Sequence, residues 1–169
     1  MTAATQSGSE GASRSRRLFL TVSSALAVVA LLVEPLARRT LFGGSTVDLG
    51  PLQLRLAYNT GVAFSLGDQL PTWVVLSVTA AITAGIGVYA WRSAPTSSTA
   101  AAVGFAAIFA GAAANVIDRA ADGKVTDYFH TGWWPTFNLA DTYLTCGVLL
   151  VAAALLREPT PASAKESLA

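Results

Sequence analysis

Four long apolar segments dominate the pattern of hydrophobic and polar positions along the chain. Each is close in length to the roughly 20 residues that a helix needs to cross the hydrocarbon core of a bilayer. Arginines precede the first segment, as in a cleavable signal peptide, but its apolar core is long and Pro35 stands where cleavage requires a small residue. The pattern therefore predicts four retained transmembrane helices, at about residues 18–36, 72–91, 99–117 and 139–156.

The flanks of these helices predict how the chain is organised and oriented. An even number of spans places both termini on one side of the membrane, and the arginines within residues 14–17 favour the cytoplasmic side. Residues 1–16 and 158–169 are small, polar or rich in Pro and Ser, which predicts a disordered basic N-terminal tail and a disordered C-terminal tail. We therefore expect one polytopic domain, residues 17–157.

A different periodicity occurs in the long link between the first and second helices. In the segment LQLRLAYN, residues 52–59, apolar and polar side chains alternate, which is typical of a strand with one apolar face. Such a strand on the bilayer surface can bury that face against lipid or helix ends, and a hairpin without a function is the alternative. The strand ends at Asn59-Thr60-Gly61, a turn signal in which Gly61 permits a positive φ.

Composition agrees with a membrane protein and excludes several classes of function. The 169 residues are 53% hydrophobic and 12% charged, whereas a soluble domain has about 25% charged residues. A net charge of +1 argues against nucleic-acid binding, which requires a dense basic patch. The single cysteine, Cys146, excludes an internal disulfide and a cysteine-based metal cluster.

The third apolar segment ends in polar residues that share one helix face. Ala107, Gly111 and Asn115 recur at four-residue spacing, where small side chains let helices approach closely in a membrane. Asn115, Asp118 and Arg119 follow on the same face. These polar residues either terminate the helix at the interface or form a buried network, and ionisable residues within a span generally have a function.

Two carboxylates, Asp127 and Asp141, are positioned to converge. Asp127 follows the third helix and Asp141 opens the fourth, so they meet if these two helices are antiparallel neighbours. Two carboxyl groups held close in a poorly hydrated cleft share one proton. The ionised group then takes a proton from water while the protonated group donates to a peptide carbonyl. The pair therefore predicts an aspartic protease.

The same residues allow other interpretations. Asn138 and Asp141 also fit a capping box at the start of the fourth helix, which requires no chemistry. We expect His130, the only histidine, to lie in a loop as a bystander. Cys146 lies inside the fourth helix without a histidine partner, so we expect a packed thiol and not a nucleophile.

Three motifs in this order resemble the lipoprotein signal peptidases (signal peptidase II): NTGVAFS, NVIDRAADGKVTDYF and FNLAD. The resemblance covers about Leu18 to Leu156 and implies a membrane all-α fold, a four-transmembrane-helix bundle with a small extracytoplasmic β-sheet between helices one and two. It implies an aspartyl endopeptidase of the bacterial plasma membrane that needs no metal or other cofactor. The substrate is a prolipoprotein, cut before a cysteine that carries diacylglycerol. We expect a monomer whose other partners are membrane lipids and not nucleic acid.

The resemblance also assigns site residues by motif position. Asp127 and Asp141 match the catalytic pair near the extracytoplasmic face, and Asp118 matches an acid that orients Arg119 and the helix end. The remaining positions match residues that line the site or hold the substrate backbone: Asn59, Gly61, Asn115, Arg119, Asn138 and Ala140.

The first helix departs from the family pattern. Where an Asp-Gln-x-x-Lys pattern is usual, residues 34–38 read Glu-Pro-Leu-Ala-Arg. Glu34, a further candidate for supporting the site, is one methylene longer than Asp, and Pro35 lacks both an amide side chain and a backbone N–H. Three alternatives therefore stay open: a divergent paralogue with reduced or no activity, a small proton-coupled transporter that uses Glu34, and a binding protein that shields lipoproteins.

Overall fold

The computed structural model describes residues 2–60 and 70–157, with side chains from residue 11 onward. Four helices in this part of the chain are long and apolar enough to cross a membrane, which confirms the predicted four-helix, multi-pass membrane fold. These helices are α1 (Thr2–Thr40), α2 (Thr72–Ser93), α3 (Thr99–Asp122) and α4 (Leu139–Arg157).

The first helix is longer at both ends than the predicted span. α1 begins at Thr2, so the backbone is helical over residues 2–16, where the sequence predicts a disordered tail. At the other end α1 continues through Pro35 to Thr40. The predicted C-terminal tail, residues 158–169, lies outside the described residues.

The ends of α3 are set by capping. Ser98 precedes the helix, and its side chain accepts a hydrogen bond from the backbone N–H of Ala101. Gly123, at φ 84°, ends the helix in the left-handed conformation, and its N–H donates to the Arg119 carbonyl at 2.8 Å. The helix therefore continues to Asp122, beyond the apolar segment, and its polar end stays helical.

α3 is the central helix of the bundle and packs against each of the other three. Glycines bring it close to α4: a Cβ added at Gly111 would lie 2.3 Å from the carbonyl oxygen of Ala140, and one at Gly104 would lie 2.9 Å from that of Gly147. Gly111 follows Gly104 along α3, whereas its contact Ala140 precedes Gly147 along α4. The two helices are therefore antiparallel neighbours. The convergence of the two carboxylates depends on this arrangement.

A three-stranded antiparallel sheet covers one end of the bundle. Its strands, in spatial order, are β1 (Val47–Asp48), β2 (Gln53–Asn59) and β3 (Val125–His130), and a 3₁₀ turn over Phe42–Gly44 precedes β1. β2 is the predicted strand. The prediction placed the whole sheet between helices one and two, but β3 comes from the α3–α4 link. β3 has no alternating pattern because its first four residues are buried on both faces.

The apolar face of β2 packs on protein. Leu54 and Leu56 lie against a small core formed by Ala37 and Leu41 of the α1 end and by Tyr128 of β3. The sheet is thereby fixed to the end of α1, and β3 is held between β2 and the helix bundle.

Candidate active site

β3 carries Asp127 into the interior of the bundle end. The Asp127 side chain is 1% exposed, and its neighbours Val125 and Thr126 are fully buried. Asp127 pairs with Ala57 of β2, and Thr126 points to the opposite face of the strand. A buried carboxyl group is costly unless it is hydrogen-bonded, so its partners determine what it does.

The first turn of α4 fixes the second carboxylate, Asp141. Asn138 caps the helix: its Oδ1 accepts from the Asp141 N–H at 3.0 Å, and its own backbone N–H donates to Asp141 Oδ2 at 3.1 Å. The capping-box interpretation is therefore confirmed. It leaves the other carboxylate oxygen available, and Asp141 Oδ1 accepts from Asn115 Nδ2 at 2.8 Å.

Two asparagine amides connect the two acids. Asn138 Nδ2 donates to Asp127 Oδ1 and to Asn115 Oδ1, both at 3.1 Å, and Asn115 in turn donates to Asp141. The structure thus brings Asp127 and Asp141, which we call the dyad, into one hydrogen-bond chain contributed by β3, α3 and α4.

The environment of Asp127 favours its protonated form. Burial and, after it, the nearby charge of Asp141 raise the pKa of Asp127 from 3.8 to about 7, although hydrogen bonds from Asn59 and Asn138 oppose the shift. At neutral pH the dyad can therefore present one acid and one base. That combination is suited to hydrolysis in which water is deprotonated while a carbonyl oxygen is protonated.

A cleft between α2, α3 and α4, the inner cleft, leads to Asp141. Its volume is about 310 Å³, and Asn59, Asn115 and Arg119 are among its polar lining residues. Arg119 is 7% exposed, and its Nε has no hydrogen-bond partner within the part of the chain that the structure describes. A buried guanidinium N–H with an open donor at a cleft can bind a carbonyl oxygen of a peptide.

Glu34 and Asp118 belong to a separate group of charges on the other side of β3. In this ionic cluster (Glu34, Arg38, Asp118 and Asp122), Arg38 forms ion pairs with all three acids. Asp118 also accepts a hydrogen bond from the Thr126 backbone N–H at 2.7 Å. By its hydrogen bonds, Asp118 thus orients Arg38 and β3, and its charge also acts on Arg119.

Sequence reasoning did not include Arg38 among the site residues. Its i,i+4 spacing from Glu34 was the available signal, because oppositely charged residues at that spacing meet on a helix. The bond to Asp118 joins residues 80 positions apart, and no local pattern predicts such a contact.

Two further predicted site residues are Ala140 and Gly61. Ala140 is buried against Ala30 and Ala114, so its small side chain lets the start of α4 approach α1 and α3. Gly61 lies outside the described residues.

Metal-binding side chains are not grouped in the described part of the chain. No set of three or more His, Cys, Asp and Glu residues there is arranged to hold a metal ion. His130 lies at the end of β3 with a buried Nδ1 that has no partner among the described residues. Cys146 is exposed on α4, so the expected packing of its thiol is wrong.

Comparison with known proteins connects this geometry to one family. The model of the family described as signal peptidase (SPase) II matches residues 26–157. The chain is 33% identical to a lipoprotein signal peptidase of Mycolicibacterium smegmatis, over 83% of this chain and 61% of that protein. It is 40% identical to one of Sinorhizobium fredii, over 57% and 60% of the two chains, and 35% identical to one of Brucella ovis, over 73% and 82%. The match thus spans about three fifths of the first two relatives.

Two solved structures share the fold. Both are described as structures of a bacterial membrane enzyme obtained by the in meso method, one at 1.9 Å and the other at 2.3 Å resolution. The first has a TM-score of 0.71 and 25% identity, over 83% of this chain and 94% of that one. The second has a TM-score of 0.66 and 26% identity, over 83% and 90%.

Proposed function

The chain belongs to the signal peptidase II family, and on this premise we propose that it is an intramembrane aspartyl endopeptidase. It removes the signal peptide from diacylglyceryl-modified prolipoproteins by cleaving before the lipidated cysteine. The observation that carries the proposal is the hydrogen-bond chain from Asp127 through Asn138 and Asn115 to Asp141. Two acids from different elements, linked by neutral amides at the edge of a membrane bundle, form the machinery that peptide hydrolysis requires.

The dyad divides the acid and base work. Asp127, whose pKa is raised to about 7, holds the proton, and Asp141 acts as the base. Water transfers a proton to Asp141 as its oxygen bonds to the scissile carbonyl carbon, and Asp127 gives its proton to the carbonyl oxygen. When the intermediate collapses, Asp127 recovers its proton and the C–N bond breaks. Asp141 then delivers its proton to the amine of the lipidated cysteine.

The surrounding residues position the dyad and the substrate. Asn115 and Asn138 hold the carboxylates in place, and Arg119 and Asn59 in the inner cleft donate to substrate carbonyls. Gly61, which follows β2 in the sequence, lines the site by its motif position. Ala140, Asp118 and Glu34 support the site through packing and through β3: Ala140 sits between helices, and the other two bind Arg38.

The active site lies near the extracytoplasmic face, with both termini in the cytoplasm. Support comes from the arginines of residues 14–17, from Arg92 at the end of α2 and from Arg157 at the end of α4, which all lie at the end of the bundle opposite the dyad. The enzyme acts as a monomer. Its lipidated substrate reaches the site by lateral diffusion in the outer leaflet.

The test is the processing of one prolipoprotein, prepared with and without its diacylglyceryl group, by the purified protein in lipid. We expect cleavage before the lipidated cysteine and none of the unmodified precursor. Asp127→Asn and Asp141→Asn should each lower kcat at least about 1,000-fold, or about 4 kcal/mol of barrier. Asp48→Asn, on the exposed strand β1, is the matched control and keeps normal turnover. Near-normal turnover by either dyad variant would contradict the proposal.

A further inference from the structure

The end of the bundle opposite the dyad carries a group of arginines on two helices that contact each other. Arg14, Arg16 and Arg17 lie on α1 just before its apolar segment, and Arg92 lies in the last turn of α2. We call these four residues the arginine rim. Arg14, Arg17 and Arg92 are exposed, whereas Arg16 is partly buried. The rim therefore presents permanent positive charges where the two helices leave the hydrocarbon of the bilayer.

Contacts with α2 fix the position of Arg16. Its guanidinium carbon lies 5.1 Å from the centroid of the Trp91 ring, within the range of a cation–π interaction. Phe19, three residues further along α1, packs in a buried cluster with Ala90 and Ala106. The contact between Arg16 and Trp91 thus continues the packed interface of α1, α2 and α3 to the end of the bundle, and it holds the guanidinium in one place.

The side chains that the structure describes provide no anionic partner for this guanidinium. The Arg16 Nε is buried without a hydrogen-bond partner among them, and every ion pair in the same part of the chain involves Arg38 at the sheet end. Because burial removes Nε from water, the terminal nitrogens of Arg16 must make the hydrogen bonds that stabilise its charge. An acceptor from outside the protein meets this need.

The distribution of charge favours an anion as that acceptor. The acids whose side chains the structure describes all lie at the sheet end: Glu34, Asp48, Asp118, Asp122, Asp127 and Asp141. Near the opposite end the sequence has Glu10 and Glu158, against the arginine rim and Arg157. Five arginines and two glutamates leave this end positive, so it attracts anions at the membrane surface.

We infer that the arginine rim binds the phosphate of an anionic phospholipid in the leaflet on its side of the membrane. The planar guanidinium of Arg16 donates two parallel hydrogen bonds to phosphate oxygens, and the exposed arginines beside it neutralise the remaining charge. Trp91 is 39% exposed, and its indole ring suits the depth at which lipid head groups meet acyl chains. In a zwitterionic lipid an ammonium compensates the phosphate, so the rim prefers a lipid with a net negative charge.

The first experiment detects lipid beside Trp91 by fluorescence quenching. The other tryptophans are exposed at the sheet end of the protein, and replacing them by Phe leaves Trp91 as the single indole: Trp73, Trp133 and Trp134. In vesicles of phosphatidylcholine, half-maximal quenching should need at least about tenfold less brominated phosphatidylglycerol than brominated phosphatidylcholine. Equal quenching by the two brominated lipids would overturn the inference.

Two variants of the single-tryptophan protein distinguish a site from a general attraction between charges. Arg16→Gln should lower the preference for phosphatidylglycerol about fivefold, which corresponds to about 1 kcal/mol. Arg157→Gln is the matched control, because it removes an exposed arginine from the same end of the bundle but from α4, and it should keep the preference. The ratio of the two lipids within one variant cancels changes in the fluorescence of Trp91 itself. An equal loss in both variants would show a diffuse attraction without a site and would overturn the inference.

The second experiment uses the chain with all its tryptophans. Thermal unfolding in detergent micelles is followed with added dioleoylphosphatidylglycerol, dioleoylphosphatidylcholine or inorganic phosphate, because a ligand that binds only the folded protein raises Tm. We expect phosphatidylglycerol alone to raise Tm, and to raise it less in Arg16→Gln than in Arg157→Gln. An equal rise with inorganic phosphate would assign the rim to free anions, and an equal rise with phosphatidylcholine would assign it to phospholipids in general. No rise with any of the three would leave the rim to an acidic protein partner. Each of these results would overturn the inference.

The inference and the proposed function fail separately, because neither lipid measurement uses cleavage. A protein that prefers phosphatidylglycerol at Trp91 but does not process a prolipoprotein would leave the lipid site standing. An active peptidase without this preference would remove the lipid site alone.

Discussion

Two polar groups on opposite sides of β3 hold their acids in different ways. In the ionic cluster a single guanidinium, that of Arg38, binds three carboxylates. The dyad receives its hydrogen bonds from the amides of Asn59, Asn115 and Asn138 and from a backbone N–H. A cation stabilises the ionised form of an acid, whereas a neutral amide leaves burial to favour the protonated form. The number of acids therefore does not distinguish a structural cluster from a catalytic one; the nature of their partners does.

One strand serves both groups because its side chains alternate. Thr126 points toward the ionic cluster, where its hydroxyl donates to Glu34 and its N–H to Asp118. Asp127, the next residue, points toward Asn138. The ionic cluster thus fixes the position of β3, and β3 in turn fixes the depth of the catalytic acid.

Among changes outside Asp127 and Asp141, we expect the largest loss of activity when the amide of Asn138 is removed. Asn138→Ala deletes the donor to Asp127 and the cap of α4. We expect kcat/KM to fall about 100-fold, as for the loss of one preorganised donor at an active site. The free energy of unfolding should fall by about 1 kcal/mol, as for a lost N-cap. Activity on the lipidated precursor and thermal unfolding in lipid measure the two effects.

The matched control for this change is a cap far from the dyad. Ser98→Ala removes the N-cap of α3, where the Ser98 side chain accepts from the Ala101 N–H. A similar loss of stability with normal activity would show that the amide of Asn138 acts on the dyad. Equal losses of activity in both variants would instead attribute the defect to stability.

The pH profile tests the protonated state of Asp127. Because the pKa of this carboxyl is raised to about 7, the general acid is lost as the pH rises through that value. We expect kcat/KM to fall about tenfold for each pH unit above about 7. A profile that stays flat to pH 9 would show that Asp127 does not supply the proton.

The same shift predicts how stability depends on pH. The folded pKa of Asp127 lies above its unfolded value of 3.8, so folding favours the protonated carboxyl. Its contribution to stability is fully present below about pH 4 and is lost as the pH rises through about 7. The introduced amide of Asp127→Asn stays neutral at every pH. Between pH 4 and pH 8 the Tm of this variant should therefore fall less than the Tm of the unmodified protein. Parallel Tm curves for the two proteins would contradict the raised pKa.

Neutralising the cation of the ionic cluster should affect stability more than chemistry. Arg38→Gln leaves three acids without their shared partner. Breaking a buried ion pair costs about 3–5 kcal/mol. Because the Arg38 side chain is 28% exposed, we expect about 2 kcal/mol, with kcat reduced less than about tenfold. Arg55→Gln, on the exposed side of β2, is the control: it also removes an arginine but should leave the free energy of unfolding and kcat unchanged. A kcat loss as large as that of Asn138→Ala would show that the two groups are not separable.

The sequence predicts those parts of the site that local patterns determine. Four apolar segments determine the bundle, and the Asn138–Asp141 spacing is the capping box that the structure contains. The small residues before Asn115 anticipate the close approach of α3 to α4 at Gly111. Together these features place Asp141 beside Asn115, without any knowledge of the sheet.

Long-range contacts were not predictable in the same way. β3 has no alternation because Thr126 and Asp127 are buried on opposite faces, so it resembles a polar loop in sequence. Arg38 joins acids on α3 that lie 80 and 84 residues away, and only the packed α1–α3 pair reveals these two partners. The cavity lined by Trp133, Trp134 and α4 likewise depends on how this loop packs against the helix.

The smallest expected effect concerns Glu34, the main departure from the family pattern. Glu34→Asp removes one methylene, which takes the carboxylate away from the Thr126 hydroxyl, while Arg38 keeps its pairs with Asp118 and Asp122. Glu34 also lines a cavity of about 20 Å³ shared with Asn115 and Asn138, so shortening it loosens the packing behind the dyad. We expect kcat/KM to stay within about tenfold of normal, about 1.4 kcal/mol of barrier.

Glu34→Gln is the matched variant for this change, because it keeps the length and removes the charge. If the ionic cluster only positions β3, both variants lose activity modestly and neither changes the fall in activity above about pH 7, since Asp127 keeps its own partners. A collapse of activity in Glu34→Asp alone would show that the longer side chain is specifically required. A shift of the pH profile in Glu34→Gln would show that the charge of the ionic cluster changes the pKa of Asp127 across β3. The two groups would then be electrostatically coupled.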